Sequence, residues 1–241
     1  MLTADEARHL RDVLRLQPGA EAYVFDGLGN EFQCVVDNTA RDSVLLNVRA
    51  SVSPARPESA LDLSLAVALL KGDKFDLVVQ KATELGVSRI LPIITDRADT
   101  KLRDEHDGSK RVTRWQRIAL EATKQSGRAR VPEVEPPLSL VSLFRNATTE
   151  CAVPDVASGV LRLMFSERDG GALSHALRQP DEQPGMISAL IGSEGGWTDD
   201  ELELARMQGW QIVTLGGRIL RAETAAIAVT ALLQHRFGDL R

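Results

Sequence analysis

The chain has 241 residues, 43% of them hydrophobic and 26% charged, and carries a net charge of −5. That length buries a real core in one large or two modest domains, and the mixture is that of an ordinary soluble globular protein. The acidic balance speaks against bulk, non-specific binding of nucleic acid, and no apolar run approaches the roughly 20 residues of a membrane-spanning helix.

Residues 3–16 read as a helix opened by a Thr3-x-x-Glu6 capping box, with Ala7, Leu10, Val13 and Leu14 on its inward face. Pro18-Gly19 ends it. The runs 21–25 and 31–36 flank Asp26-Gly-Leu-Gly-Asn30 and read as a β-hairpin; 43–52 supplies another strand. Pro54 and Pro57 mark 53–59 as a linker, so a small β-rich domain is expected over 1–58 and a second domain over 59–241. Gly27 and Gly29 are turn glycines, since no phosphate-loop pattern comes after them. The polar N-terminus is not a secretory signal, which makes the cytoplasm the expected compartment.

After the linker the hydrophobic period changes. Residues 61–70 read as a buried strand, succeeded from Gly72-Asp73 by a helix with Phe75, Val78, Ala82 and Leu85 inward and Gly86 just past its end. The run 87–94 is the next strand, which makes a βαβ unit and a parallel sheet. A helix over 110–125 turns Trp115, Ile118, Ala119 and Ala122 inward and its Lys and Arg residues outward. Between Lys71 and Val131, 14 Lys/Arg stand against 9 Asp/Glu. This local excess fits either a solvated helix face or a confined patch for one specific RNA. A short helix near 138–145, a strand over 161–165, a helix over 171–177 and strands over 186–191 and 211–215 complete an α/β domain of five or six strands. Cys34 and Cys151 stand alone and His9, His106, His175 and His235 are scattered, so reduced core cysteines and no metal site are expected.

The last two strands each run into a glycine-bearing turn and then a helix, the position at which open α/β sheets hold ligands. The first turn is Gly192-Ser-Glu-Gly-Gly196, and it leads into a helix start with Thr198 as N-cap and Glu201 closing a capping box. Neither the strand exit nor the cap needs the carboxylate of Glu194, which is either simply exposed or functional. The second turn, Gly216-Gly-Arg-Ile-Leu-Arg221, sets Ile219 and Leu220 between two arginines. The next helix, 223–237, is apolar almost all round and reads as a core helix with Glu223 in its first turn. Glu223 either caps that helix or takes part in chemistry. Ile219 and Leu220 suit the walls around a flat ring whose polar edge meets backbone groups.

Ile191-Gly-x-Glu-Gly-Gly196 together with Leu215-Gly-x-Arg-Ile-Leu-Arg-x-Glu-Thr-Ala225 resembles the signature pair of the RsmE family, within the SPOUT superfamily. Lys71-Gly-Asp-Lys74, Gln80-Lys-Ala-Thr-Glu-Leu-Gly86, Gln125-Ser-Gly-Arg128 with Val131-Pro132, and Arg236-Phe-Gly-Asp239 match it as well, in order and over nearly the whole chain. Members of that family methylate N3 of a uridine in 16S ribosomal RNA. The resemblance implies a SPOUT-type parallel sheet with a C-terminal trefoil knot, preceded by a small PUA-like β-barrel, in a homodimer with its sites near the subunit interface. It implies S-adenosylmethionine as donor, held by the loop after 161–165 with Phe165, by Leu190, Ile191, Gly192, Glu194, Gly195 and Gly196, and by Leu215, Gly216, Ile219, Leu220, Arg221, Thr224 and Ala225. The sequence departs from the family at Ser193, usually Pro, and begins almost at its first helix, so the barrel is expected to be one strand short.

Methylation at N3 removes a weakly acidic proton and leaves negative charge on the uracil carbonyls, so alignment and charge stabilisation are the main demands. Arg221 is the first candidate for that stabilisation and Arg128 the second. Glu194 or Glu223 either accepts the proton or holds a loop. Because N3 lies on the pairing edge, the target base has to be unstacked, with Arg114, Lys124, Arg128 and Arg130 expected to hold the RNA backbone of the small ribosomal subunit. The competing class is a non-catalytic RNA-binding module, and the nearer rival a related methyltransferase acting on transfer RNA.

Overall fold

The computed structural model describes residues 4–40, 43–100, 102–150, 160–177 and 184–240. The chain divides into two compact units, one of Met1–Glu58 with Gly127–Val131, the other of Ser59–Ser126 with Pro132–Arg241. Thr3 of the expected capping box, and Cys151, lie outside the described residues.

The first unit begins with α1 (Ala4–Arg8), which widens into one π-helical stretch over His9–Val13. Leu14 N–H donates to the carbonyl of His9 at 3.1 Å, five residues back rather than four. The extra residue in that turn rotates Val13 and Leu14 off the inward face. Ala7 is therefore buried and Leu10 half-buried as expected, whereas Val13 and Leu14 are exposed, and Leu16 takes their place in the core. Strands β1 (Glu21–Phe25), β2 (Glu31–Thr39) and β3 (Val44–Val52) pair antiparallel in chain order. The hairpin tip is fixed by Asp26, whose carboxylate accepts from the N–H of Leu28 at 2.7 Å and from the Asn30 side chain at 2.7 Å. These bonds hold its carboxyl below the usual carboxylate range, the Asn30 side chain first and the Leu28 backbone next.

The distant segment Gly127–Val131 joins this unit through backbone. Gly29 N–H donates to Ala129 at 3.1 Å and Val131 N–H to Gly27 at 3.0 Å. Arg128 is buried and its guanidinium grips Glu58, with Nη2 to Oε2 at 2.6 Å and Nε to Oε2 at 3.0 Å.

In the second unit, β4 (Asp62–Ala68), β5 (Arg89–Ile94), β8 (Val160–Phe165), β10 (Met186–Ile191) and β11 (Gln211–Thr214) form a parallel sheet. Three two-residue strands, β6 (Glu133–Val134), β7 (Leu138–Ser139) and β9 (Gly171–Ala172), extend it. The order is β6-β5-β4-β10-β8-β11-β9, with β7 also on β5, so the five full-length strands are those the sequence suggests. The helices fall into two groups. Helices α2 (Lys74–Glu84), α3 (Glu105–Ser126) and α7 (Ala222–Phe237) pack together, with α7 also on β4 and β10. Helices α4 (Leu140–Glu150) and α6 (Asp199–Met207) close a second core, in which Leu140, Phe144, Leu202 and Trp210 meet Ala66, Ile93, Met164 and Leu190 of the strands. A four-residue helix, α5 (Leu173–Ala176), comes after β9.

Helix α7 corrects one expectation. Its sequence implies burial on every side, and Ala226, Val229, Leu233 and Phe237 are buried indeed. Leu232, however, is 44% exposed, and Ile227 and Ala228 are only half-covered. One apolar flank of the helix lacks a cover among the described residues. Gln234, fully buried, donates to the carbonyl of Gly86 at 3.1 Å and accepts from Ser59 at 2.8 Å, which pins α7 to the end of α2 and the start of this unit. Among the described residues no helix is long and apolar enough to cross a membrane, and no three His, Cys, Asp or Glu side chains gather as a metal-ligand set.

Candidate active site

The carboxyl ends of β8, β10 and β11 converge on one cavity of about 430 Å³, within the range of about 300–1,000 Å³ usual for small-molecule pockets. Its walls are three loops, each leaving a buried strand. From β8 come Phe165, Ser166, Glu167 and Arg168; from β10 come Ile191, Gly192, Ser193, Glu194, Gly196 and Trp197; from β11 come 214–222 and Ala225.

Of the residues expected to hold a donor, the cavity brings together Phe165, Ile191, Gly192, Glu194, Gly196, Leu215, Gly216, Ile219, Leu220, Arg221 and Ala225. Leu190, Gly195 and Thr224 do not line it. Strand alternation explains the first: Ile191 faces the cavity, so its neighbour Leu190 points into the core of α4 and α6. Gly195 turns away toward the loop after β5, and Thr224 is exposed on α7. Ser166, Glu167, Arg168, Ser193, Trp197, Thr214, Gly217, Arg218 and Ala222 complete the lining beyond the expected set. The only local hint of the first three is a charged run, Ser166-Glu-Arg-Asp169, at the end of a buried strand.

Each loop is held by its neighbours. Trp197 Nε1 donates to the Phe165 carbonyl at 2.8 Å, tying the β10 turn to the end of β8. Arg168 spans the same gap in reverse, reaching the Trp197 carbonyl at 3.2 Å and Asp199 at 2.8 Å. The loop after β5 straps the turn from the other side. Ser193 Oγ donates to the Arg97 carbonyl at 3.2 Å, and Arg97 returns a bond to the carbonyl of Gly195 at 3.4 Å. A serine thus secures by a hydrogen bond what a proline would secure by its ring. The expected capping box is present, and Glu201 does more than cap: one oxygen accepts from Thr198 N–H at 2.8 Å and the other from Asp96 N–H at 3.0 Å. Glu201→Ala leaves two part-buried N–H groups without their carboxylate acceptor, and a loss of about 1 kcal/mol of stability is expected in urea unfolding.

After β11 the chain turns through two successive glycines at φ 74 and 75, a conformation that L side chains rarely adopt. The loop then lays Ile219 83% exposed at the cavity and brings Arg221 to the N-cap of α7 with its side chain exposed and unpartnered among the described residues. Glu194 and Glu223 both meet a residue that no local pattern links to them, Lys74 at the start of α2. Its Nζ lies 2.7 Å from Glu194 Oε1 and 4.0 Å from Glu223 Oε2. Burial pushes the Glu194 carboxyl up, but the Lys74 hydrogen bond, its own backbone N–H and the Lys74 charge outweigh it, so the net shift is downward. A depressed carboxylate stabilises the fold above its ordinary range, and that contribution fades as pH falls through the lowered value.

The basic segment is less available than its sequence suggests. Arg114 bonds Asp73 at 3.0 Å and also Asp76, and Lys124 bonds Glu121 at 2.9 Å. Arg128, a candidate for both catalysis and RNA, is buried against Glu58, a structural task that occupies the fork of its guanidinium. Arg130 is exposed, as are Lys110 and Arg117.

A family model described as an RNA methyltransferase domain matches residues 57–234, and one described as an RNA methyltransferase PUA domain matches residues 2–49. The ribosomal RNA small subunit methyltransferase E of Synechocystis is 34% identical over 230 residues, covering 95% of this chain and 71% of that protein. Its counterpart from Rickettsia conorii is 31% identical over 237 residues, 98% of this chain and 88% of that one. Among solved structures, ribosomal RNA small subunit methyltransferase E of Neisseria gonorrhoeae, bound to S-adenosylmethionine, superposes with a TM-score of 0.84 at 33% identity. It covers 100% of this chain and 92% of its own. A methyltransferase of Legionella pneumophila, also in complex with S-adenosylmethionine, gives 0.84 at 31% identity, over 99% and 92%.

Proposed function

We propose that this chain, which belongs to the ribosomal RNA small subunit methyltransferase E family of RNA methyltransferases, transfers a methyl group from S-adenosylmethionine to N3 of one uridine in 16S ribosomal RNA. The observation that carries the reading is the meeting of three strand-end loops around a single cavity. That cavity fits the donor: glycines expose backbone for a ring edge, Ile191, Leu215, Leu220 and Ala225 supply apolar wall, and Glu194 and Glu167 supply negative charge. The exposure of Ile219 is what a stacking ring would remove.

When bound, the donor supplies an electrophilic methyl on a sulfonium. The chain does the rest by position. Glu194 and Glu167 set carboxylates beside a cationic ligand, and Arg221 directs its guanidinium where negative charge grows on a uracil carbonyl as N3 loses its proton. Further parts of the reading are a C-terminal trefoil knot, a PUA-like barrel in the first unit, a homodimer and a cytoplasmic location. The return of α7 from β11 to pack on β4 and β10 supports the knot. The uncovered flank around Leu232 supports a second copy there.

Calorimetric titration with S-adenosylmethionine, then mass mapping of 16S ribosomal RNA after reaction, tests the proposal. Donor binding and one N3-methylated uridine are expected; no binding removes the enzymatic reading, and methylation elsewhere removes the substrate. Arg130→Glu and Arg117→Glu are expected to weaken RNA binding across sequences and to lower its salt slope by about one each, measured by salt titration.

A further inference from the structure

We propose that Lys74 is the positioning residue of this site, joining the carboxylates carried on two of the walls of the donor pocket. The inference rests on the donor reading of that pocket. Lys74 stands at the start of α2, away from both glycine turns in sequence. In space its Nζ donates to Glu194 of the β10 turn at 2.7 Å and faces Glu223, in the first turn of α7, at 4.0 Å. Among the described residues it is the one cation paired with either carboxylate.

The burial of these groups makes the pairing consequential. The Glu223 side chain is only 12% exposed, and its Oε2 is buried with no hydrogen-bond partner among the described residues. A carboxylate so placed needs a counter-charge, and Lys74 supplies it while holding Glu194. Without that ammonium, Glu194 loses its ion pair and the buried Glu223 carboxylate has no cation beside it among the described residues. The loop that carries Leu220 and Arg221 runs straight into α7, so a shift of α7 moves the pocket wall. The same bond occupies Glu194 and makes it a poorer proton acceptor. Glu194 therefore serves as a loop anchor rather than as the acceptor of the N3 proton.

The test uses the full-length chain as Lys74→Met and Lys74→Arg, with donor affinity by calorimetry and methyl transfer at saturating RNA. Lys74→Met is expected to raise the KM for S-adenosylmethionine about tenfold or more, with kcat changed much less and the KM for RNA unmoved. Lys74→Arg should recover most of that loss, and the acid limb of kcat against pH should overlay the parent's. A loss carried by kcat alone, an Arg variant as poor as Met, or an acid limb displaced upward in Lys74→Met overturns the proposal. Parent protein that binds no donor would sink the donor reading instead. The clamp is then judged by thermal unfolding of Lys74→Met, Glu194→Gln and the double variant: non-additive losses support it and strictly additive ones overturn it.

Discussion

Gly195→Ala is expected to cost the protein about a hundredfold in kcat/KM, although Gly195 does not line the cavity. A Cβ on this residue would lie 2.7 Å from the carbonyl oxygen of Arg97 and 2.9 Å from its Cβ. Neither neighbour is the loose end of a side chain. The Arg97 carbonyl is also the acceptor of Ser193 Oγ, and the adjacent Asp96 N–H is held by Glu201. The β10 turn and the strap after β5 have to move apart together, which draws Glu194 and Gly196 out of register with the β11 loop. Overpacking of this kind costs about 1–3 kcal/mol of stability, so the variant should fold and lose donor affinity first. Gly171→Ala is the control, because its Cβ would meet nothing within 4 Å. Calorimetric donor titration and urea unfolding of both variants separate the pocket effect from a general one; equal donor affinity in Gly195→Ala and parent would refute it.

The second large effect is expected at Arg221, and it has the opposite signature. The side chain is exposed, has no partner among the described residues and makes no cap bond to α7, so its loss should leave unfolding unchanged. If its guanidinium meets the charge that develops on a uracil carbonyl, Arg221→Ala lowers kcat by about 10²–10³-fold, equivalent to about 2.7–4 kcal/mol. The donor Kd should stay close to that of the parent. Arg221→Lys keeps the charge but loses the planar fork, and partial recovery is expected. Single-turnover methyl transfer at saturating donor reads the effect; a kcat within about twofold of the parent would remove Arg221 from the transition state.

Arg128 illustrates how a charge read from the sequence can have a partner that only the fold supplies. An arginine among other basic residues reads as a cation for RNA. What its sequence could not disclose is Glu58, seventy positions earlier, which accepts from Nε and Nη2 of the guanidinium. Arg114 and Lys124 are likewise engaged by acids on neighbouring turns or on α2. Charge counting along a chain sees the excess but not the pairing, because pairing is a property of tertiary neighbours.

The sequence by itself determined the local elements and the position of the two glycine turns at strand ends. Periodicity placed the five long strands and the core helices, since a period of two or 3.6 is written residue by residue. The Thr198–Glu201 cap and the turn glycines were legible for the same reason: each is set by its immediate neighbours. Only the tertiary structure decided three things. It put Glu167 and Arg168 themselves into the cavity wall, in the loop that the family resemblance had implied only as a segment, because strand order in a parallel sheet is not sequence order. It assigned Gly127–Val131 to the first unit through the hairpin tip. And it brought Lys74 to Glu194 and Glu223, carboxylates that in the sequence had no evident partner. Those three depend on contacts between residues far apart in the chain, for which no local pattern of side chains carries a signal.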